Sequence, residues 1–376
     1  MRIAVNTRLL IKDKLDGIGW FTYETIRRIA DSHPEHEFIY IFDRHYDKSF
    51  ITSPNIKPVV IGPQARHPFL FWIWFEFSVK RILNKYKADV FVSPDGYVSL
   101  SAKTKTLAVI HDLNFEHYPK DLPCLSRKYY KYFFPRFAKR ADHIATVSEF
   151  SKSDIIQLYH IEKDKIDVVY NGANENFCPL SDEEINNFRK KHSNGKPYFI
   201  FIGALHPRKN VANLLKAYDL FRNTYEFDIP LIIAGFKMWW TKDMEKTYKG
   251  LKFKKDVIFI GRQTASELHK YLASALALTY VSTFEGFGIP IVESFYCGTA
   301  VITSNVTSMP EIAGDAAIFA DPFSVQSICD AMFKIASDDE LRKNLIQKGN
   351  IRKQNFSWNK SAESLWQCIE KLIQNT

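Results

Sequence analysis

The sequence predicts an α/β protein of two Rossmann-like domains, each an open, largely parallel sheet with helices on both faces. Three observations carry this. Short β-rich runs alternate with helical patterns along the whole length. The chain has 376 residues, which suits two domains. The polar segment Ser181–Lys196 separates two halves that repeat one scheme.

In the first half, Arg2–Asn6 is a short β-rich run. A polar loop, Lys12–Gly19, comes next, and then a helical stretch, Trp20–Asp31. Glu37–Phe42 (EFIYIF) and Lys57–Ile61 read as further strands. Ala88–Ser93, Thr106–His111 and His143–Ser148 are β-branched runs bounded by turn chemistry or charge. In the second half, Tyr198–Ile202 reads as a strand ending in Gly203, and Val211–Arg222 as an amphipathic helix. Pro230–Ala234, Val257–Ile260, Ala277–Val281 and Ala300–Thr303 read as strands, with helices at Ser266–Ala275 and Pro290–Cys297. Leu365, Ile369 and Leu372 share a helical face in the final stretch, Trp358–Leu372. The expected domains are 1–178, joined by the C-terminal helix 357–376, and 197–356. Residues 179–196 read as a linker, although SDEE before an apolar residue also suits a helix start. Two such domains facing each other make a cleft beyond their C-terminal strand ends.

Composition excludes several classes. Hydrophobic residues make up 46% and charged residues 25%, so the chain is neither disordered nor fibrous. No apolar run reaches the roughly 18–20 residues of a membrane span, and Glu76 stops the nearest, Pro68–Phe75. The start, MRIAVNTRLL, lacks the apolar core of a signal peptide. Five scattered cysteines, with no CxxC pair and no His cluster at zinc spacing, suggest a reducing cytoplasm. A net charge of +9 fits either an anionic partner or a solvated basic surface. No nucleic-acid signature accompanies it, so no nucleic-acid partner is expected.

The most informative segment is Val281–Gly298, VSTFEGFGIPIVESFYCG. A strand end, a loop loosened by Gly286 and Gly288, and a helix start near Pro290 aim N–H groups at one point. Glu285 lies in the loop and Glu293 eight residues on, in the first helical turn, so both carboxylates can face one ligand. The alternative is that Glu293 favours the helix N-terminus and Glu285 is solvated.

EGFGIPIVE resembles the E-x7-E motif of retaining glycosyltransferases of the GT-B fold, family four, the mannosyltransferase-like group 1 enzymes. The resemblance runs through TRLLIKDKLDGIGWFTYE, VIHDLNFEHYP, TVSEFSKSDI, VVYNGAN, FIGALHPRKN, LIIAGF, IFIGRQTASELHKYLASA and SNVTSMPEIAGDAAIFADPFS, in order. It implies that Glu285 contacts the donor sugar. The N–H groups around Gly286, Phe287, Gly288 and Ile289 contact sugar and diphosphate, and Glu293 binds the ribose. Lys209 and Arg208 bind the diphosphate. Many members carry an Arg where Ala204 stands here, and Arg208 is expected to replace it. His111 is expected to hydrogen-bond the donor sugar; taken alone, a His at a strand end is more often structural. Asp112 orients that imidazole or caps the next residues. Gly19 belongs to a glycine loop that the resemblance places over the diphosphate; G-x-G alone is weak evidence, since residue 22 is Thr. Ser148 suits a helix cap as well as a ligand.

The stretch His67–Leu83 (HPFLFWIWFEFSVKRIL) puts Trp72, Phe75 and Val79 on one helical face. It reads as a core helix or as an aromatic and basic patch touching a membrane or a lipid-linked acceptor. The resemblance thus implies a metal-independent hexosyltransferase, mannose favoured, with a GDP- or UDP-linked donor and no cofactor. The acceptor is a glycan or lipid-linked glycan, in surface polysaccharide synthesis. The enzyme is expected in the cytoplasm, with peripheral contact at the inner membrane face. The alternatives are a degenerate nucleotide-sugar-binding protein and a nucleotide-sugar epimerase on the same fold.

Overall fold

The computed structural model describes residues 1–174 and 176–374. It divides into two compact units, Met1–Asn171 with the chain from Trp358 onward, and Gly172–Ser357. Positions 375 and 376 of the expected C-terminal helix lie outside the described residues.

The first sheet has seven parallel strands: β1 (Arg2–Asn6), β2 (Glu37–Phe42), β3 (Ile56–Val60), β4 (Val90–Ser93), β5 (Lys105–Ile110), β6 (His143–Thr146) and β7 (Ile166–Val168). Their order is β3-β2-β1-β4-β5-β6-β7. The second has six: β8 (Phe199–Ile202), β9 (Leu231–Ala234), β10 (Val257–Gly261), β11 (Ala277–Tyr280), β12 (Ala300–Ser304) and β13 (Ile318–Ala320). Their order is β10-β9-β8-β11-β12-β13. The inner strands are buried on both faces, which parallel sheets covered by helices require. Strand order reverses between β1 and β4 and between β8 and β11. At such switch points the flanking loops part and leave a crevice at the carboxyl edge.

Three local differences from the sequence reading have physical causes. The segment 179–196 carries a helix, Asp182–Ser193, within the second unit rather than a linker. A capping box starts it: Ser181 N donates to Glu184 Oε2 at 2.9 Å, and Glu184 N to Ser181 Oγ at 3.3 Å. The first helix begins at Gly17 instead of Trp20, because Asp16 caps it. The stretch from Pro68 is two short helices, Pro68–Ile73 and Lys80–Tyr86, joined by a π-helical turn at Trp74–Val79. That turn carries Trp74 inside, where its indole N–H donates to Ile61 O at 3.2 Å. Trp72 is left exposed, with Phe69 and Phe77.

The last helix, Trp358–Gln374, packs against the first helix and against β5 and β6. Leu365 and Ile369 are buried there, Arg28 Nε donates to Asn359 Oδ1 at 2.7 Å, and Lys105 Nζ to Leu372 O at 2.7 Å.

Candidate active site

The second unit concentrates charge at its switch point. After β8 the chain passes Gly203 and makes a 3-10 turn, Pro207–Lys209. His206 starts that turn by accepting from Arg208 N through Nδ1, at 3.3 Å. Asn210 ends it with φ 60°, a region Asn tolerates. Its Nδ2 donates to Val281 O at 3.0 Å and Pro322 O at 2.6 Å, fixing the turn to the loops after β11 and β13. The space at this edge depends on Gly235: a Cβ there would lie 1.9 Å from Gly203 O.

Across the switch point, the loop after β11 presents Glu285. Arg208 Nη1 donates to Glu285 Oε2 at 2.8 Å and to Phe284 O at 3.1 Å. Lys209 Nζ lies 2.6 Å from Glu285 Oε1 and donates to Tyr280 Oη at 2.6 Å. Lys209 and Glu285 are buried. Burial disfavours the Glu285 charge, but Arg208 and Lys209 outweigh it and hold the carboxyl at about 2. The group brings two cations onto one shielded carboxylate.

The loop itself is pinned. Ser308 Oγ lies 2.9 Å from Glu285 O and 3.1 Å from Phe287 O, and Glu285 N donates to Thr307 Oγ1 at 3.3 Å. Gly288 precedes the helix Ile289–Cys297 with φ 101°, a conformation that favours glycine. Glu293 is the fifth residue of that helix, and the first turn holds no acid. The electrostatic reading of Glu293 at a helix N-terminus therefore does not apply. Glu293 is half-buried and has no hydrogen-bond or ion partner among the described residues; burial pushes its carboxyl up to about 7.

The first unit has a separate polar cluster at its own switch point. Asn6, the last residue of β1, donates to Ser93 Oγ at the end of β4 at 3.1 Å and to Asp95 Oδ1 just beyond it at 2.9 Å. Arg8 Nε sits 2.7 Å from Asp95 Oδ2. His111 comes directly after β5. Its Nε2 donates to Pro94 O at 2.8 Å, and its ring meets Phe21 edge-on at 5.0 Å. Burial lowers its pKa more than the Pro94 bond and the carboxylates of Asp112, Asp16 and Asp95 raise it, so the ring is neutral at pH 7. A neutral ring with Nε2–H keeps an acceptor lone pair at Nδ1. Asp112 caps the short helical turn beyond it, accepting from Asn114 N at 3.0 Å. Ser148 is a helix cap, accepting from Ser151 N at 3.0 Å. The Gly19 N–H is engaged by Asp16 Oδ1 at 2.9 Å, and a Cβ there would lie 3.1 Å from Leu15 Cδ2 and 3.2 Å from Leu9 O, so the helix start packs closely around this glycine.

Arg208, Lys209, Glu285 and the Gly286–Ile289 loop thus meet in one place, whereas His111 and Gly19 belong to the other unit. Sequence reasoning missed Tyr280 and Ser308. The signal for Ser308 was a hydroxyl directly before the Met309–Ala313 helix.

Comparison with known proteins defines the class. The glycosyl transferases group 1 model matches residues 182–352, and the Glycosyltransferase Family 4 model matches residues 15–177. The O-antigen chain mannosyltransferase B of Escherichia coli is 29% identical over 372 residues, 93% of this chain and 94% of that one. Among solved structures, the sucrose-phosphate synthase of Thermosynechococcus elongatus superposes with a TM-score of 0.81 at 17% identity, covering 100% of both chains. Anabaena HepE, solved with UDP-glucose, gives 0.77 at 17% identity, again covering 100% of both. The fold is GT-B, and the protein is a glycosyltransferase enzyme. Its family is glycosyltransferase family four, whose two halves account for both units.

Proposed function

We propose that this enzyme moves a hexose, mannose favoured, from a GDP- or UDP-linked donor to a glycan or lipid-linked glycan of a surface polysaccharide, with retention at the anomeric carbon. One observation carries the reading: Arg208 and Lys209 converge on Glu285 at the β8/β11 switch point, which puts two fixed cations beside one carboxylate. In transfer, the bond from the anomeric carbon to the β-phosphate oxygen breaks and its electron pair goes to the diphosphate. The acceptor hydroxyl oxygen bonds that carbon on the same face, and its proton passes to the leaving phosphate. Fixed cations stabilise the charge that grows on the diphosphate, which is why no metal or other cofactor is invoked. Glu285 and the Gly286–Ile289 loop then hold the sugar, and Glu293, which lacks a partner among the described residues, accepts from the ribose hydroxyls. His111 Nδ1 accepts from a sugar hydroxyl. The mannose preference rests on the E. coli relative's name.

Membrane attachment is part of the same proposal. Among the described residues no helix is long and apolar enough to cross a membrane. Phe69, Trp72 and Phe77 are exposed, and the helix Cys124–Arg140 carries Arg127, Lys128, Lys131, Arg136, Lys139 and Arg140 with no acid. Each such cation near an anionic surface contributes about 1 kcal/mol. Trp72→Ala/Phe77→Ala should release the protein from anionic vesicles at low salt; sedimentation equal to wild type rules out this face.

Thermal shift with a panel of UDP-, GDP- and ADP-sugars tests the donor, because a ligand bound to the native state alone raises stability. NMR of the product's anomeric proton tests retention. Stabilisation by none of the panel, or an inverted product, overturns the reading.

A further inference from the structure

The sequence showed no His cluster at zinc spacing, yet the fold makes one at the end of the first helix. His33-Pro34-Glu35-His36 is a turn in which His36 N donates to His33 O at 3.1 Å. Such a turn closes residues one and four to within about 7 Å, and Pro at its second position sets the backbone in advance. Both imidazoles therefore flank the carboxylate between them. Glu35 Oε1 lies 3.4 Å from His33 Nδ1 and 3.3 Å from His36 Nε2.

Those two separations have a meaning. Zinc binds His nitrogen and carboxylate oxygen at about 2.0–2.2 Å, and the edge of a tetrahedron is about 1.6 times that bond, near 3.3–3.5 Å. One nitrogen of each ring and one Glu35 oxygen lie within 4.8 Å of one another; the rings are 7° from parallel with centroids 6.0 Å apart, so one ring turns about its Cβ–Cγ bond before both in-plane lone pairs meet one ion. Trp366, from the last helix, stacks closely on His33 with centroids 3.7 Å apart and more loosely on His36 at 5.4 Å, so His33 is the anchored ring and His36 has more room to turn. His36 Nδ1 lies 3.3 Å from the Met1 amino nitrogen, so an ion on Nε2 requires the ring proton to sit on Nδ1 and this contact with Met1 to open. Glu35 is exposed, so one side remains open for water as the fourth ligand.

A second cluster, His143–Asp167–Cys368, provides a contrast. There Lys371 Nζ already bonds Asp167 Oδ2, so a cation is present and a metal is repelled.

We propose that His33 Nδ1, Glu35 Oε1 and His36 Nε2 form a site for a divalent ion of the zinc class, which fastens the turn after the first helix beneath Trp366. Two imidazoles and one carboxylate suit Zn2+ and its spectroscopic substitute Co2+ over Mg2+ or Ca2+, which prefer oxygen cages. The site lies wholly within the first unit and does not depend on the donor reading.

The test uses the untagged full chain, stripped with chelator and titrated with ZnCl2 and then CoCl2. One equivalent should bind, Co2+ should give the intense visible absorption of tetrahedral coordination, and the melting temperature should rise. His33→Gln/His36→Gln should weaken zinc binding at least tenfold, and His143→Gln should leave it unchanged. Glu35→Ala removes an exposed side chain and keeps the test decisive if the double variant fails to fold; it too should weaken binding. Wild-type affinity in Glu35→Ala, loss only in His143→Gln, or no binding at 100 μM zinc would overturn the proposal.

Discussion

Glu285 stands between two cations that a diphosphate also wants. Removing its charge should therefore have opposite effects on two measurements. Glu285→Gln should lower kcat by the equivalent of roughly 2–4 kcal/mol, because a placed charge is lost from the transition state. It should also tighten binding of the free nucleoside diphosphate, because Arg208 and Lys209 lose the carboxylate they share. Calorimetry showing weaker diphosphate binding in a folded variant would contradict this account. Stability obeys the same logic. The folded pKa of about 2 lies below the ordinary 4.5, so the Glu285 contribution is present above about pH 4.5 and fades as pH falls toward 2. The stability deficit of Glu285→Gln should shrink over that window. Glu293 shifts the other way, up to about 7. Its ionised form is the better acceptor for ribose hydroxyls. KM for the donor should thus fall as pH rises from 6 to 8, and Glu293→Gln should flatten that dependence. A wild-type KM that does not move across this range excludes the carboxylate from donor binding. The sequence made these residues visible through the spacing of EGFGIPIVE and PRKN. It did not reveal that one carboxylate takes both cations, because Arg208 and Glu285 meet only when the β8 and β11 ends come together.

Among the elements, the loop after β9 leaves no room for error. Gly235→Ala would place a methyl 1.9 Å from Gly203 O, and backbone cannot yield as a flexible side chain does. The variant should lose about 3 kcal/mol or more in denaturant unfolding. It should also bind donor less well, since Gly203 leads into the Arg208–Lys209 turn; wild-type stability would show that the two strand ends move apart freely. Most elements were legible because Val, Ile and aromatic runs of four to six residues stand out between turns. The edge strands β7 and β13 were not, since each is three residues long and carries no periodicity. The helix at Asp182–Ser193 was read as a linker because it is mostly polar; only its capping box marked it. Trp72 does not share the buried face of Phe75 and Val79 as expected, because the π-helical turn between them adds a residue and rotates the face by about 100°.

For the whole molecule, the sequence conveyed two halves but the boundary was placed at 178 instead of Asn171, although the Asn171–Gly172 pair within VVYNGAN is itself a turn signal. The final helix belongs to the first unit, although 186 residues of the second, 172–357, come before it. Fragment 172–357 should fold by itself. Fragment 1–171 should not, because the first helix, β5 and β6 lose the faces of Leu365 and Ile369. Circular dichroism and proteolysis of the two fragments decide this, and adding a peptide of residues 358–374 should rescue fragment 1–171. The same arrangement sets an order during synthesis. The half that leaves the ribosome first cannot close until nearly the last residues have emerged, while the half made later is already complete. A chain ending at residue 357 would carry a finished second unit and an unfinished first one with an exposed apolar groove, and there a chaperone has the most to hold.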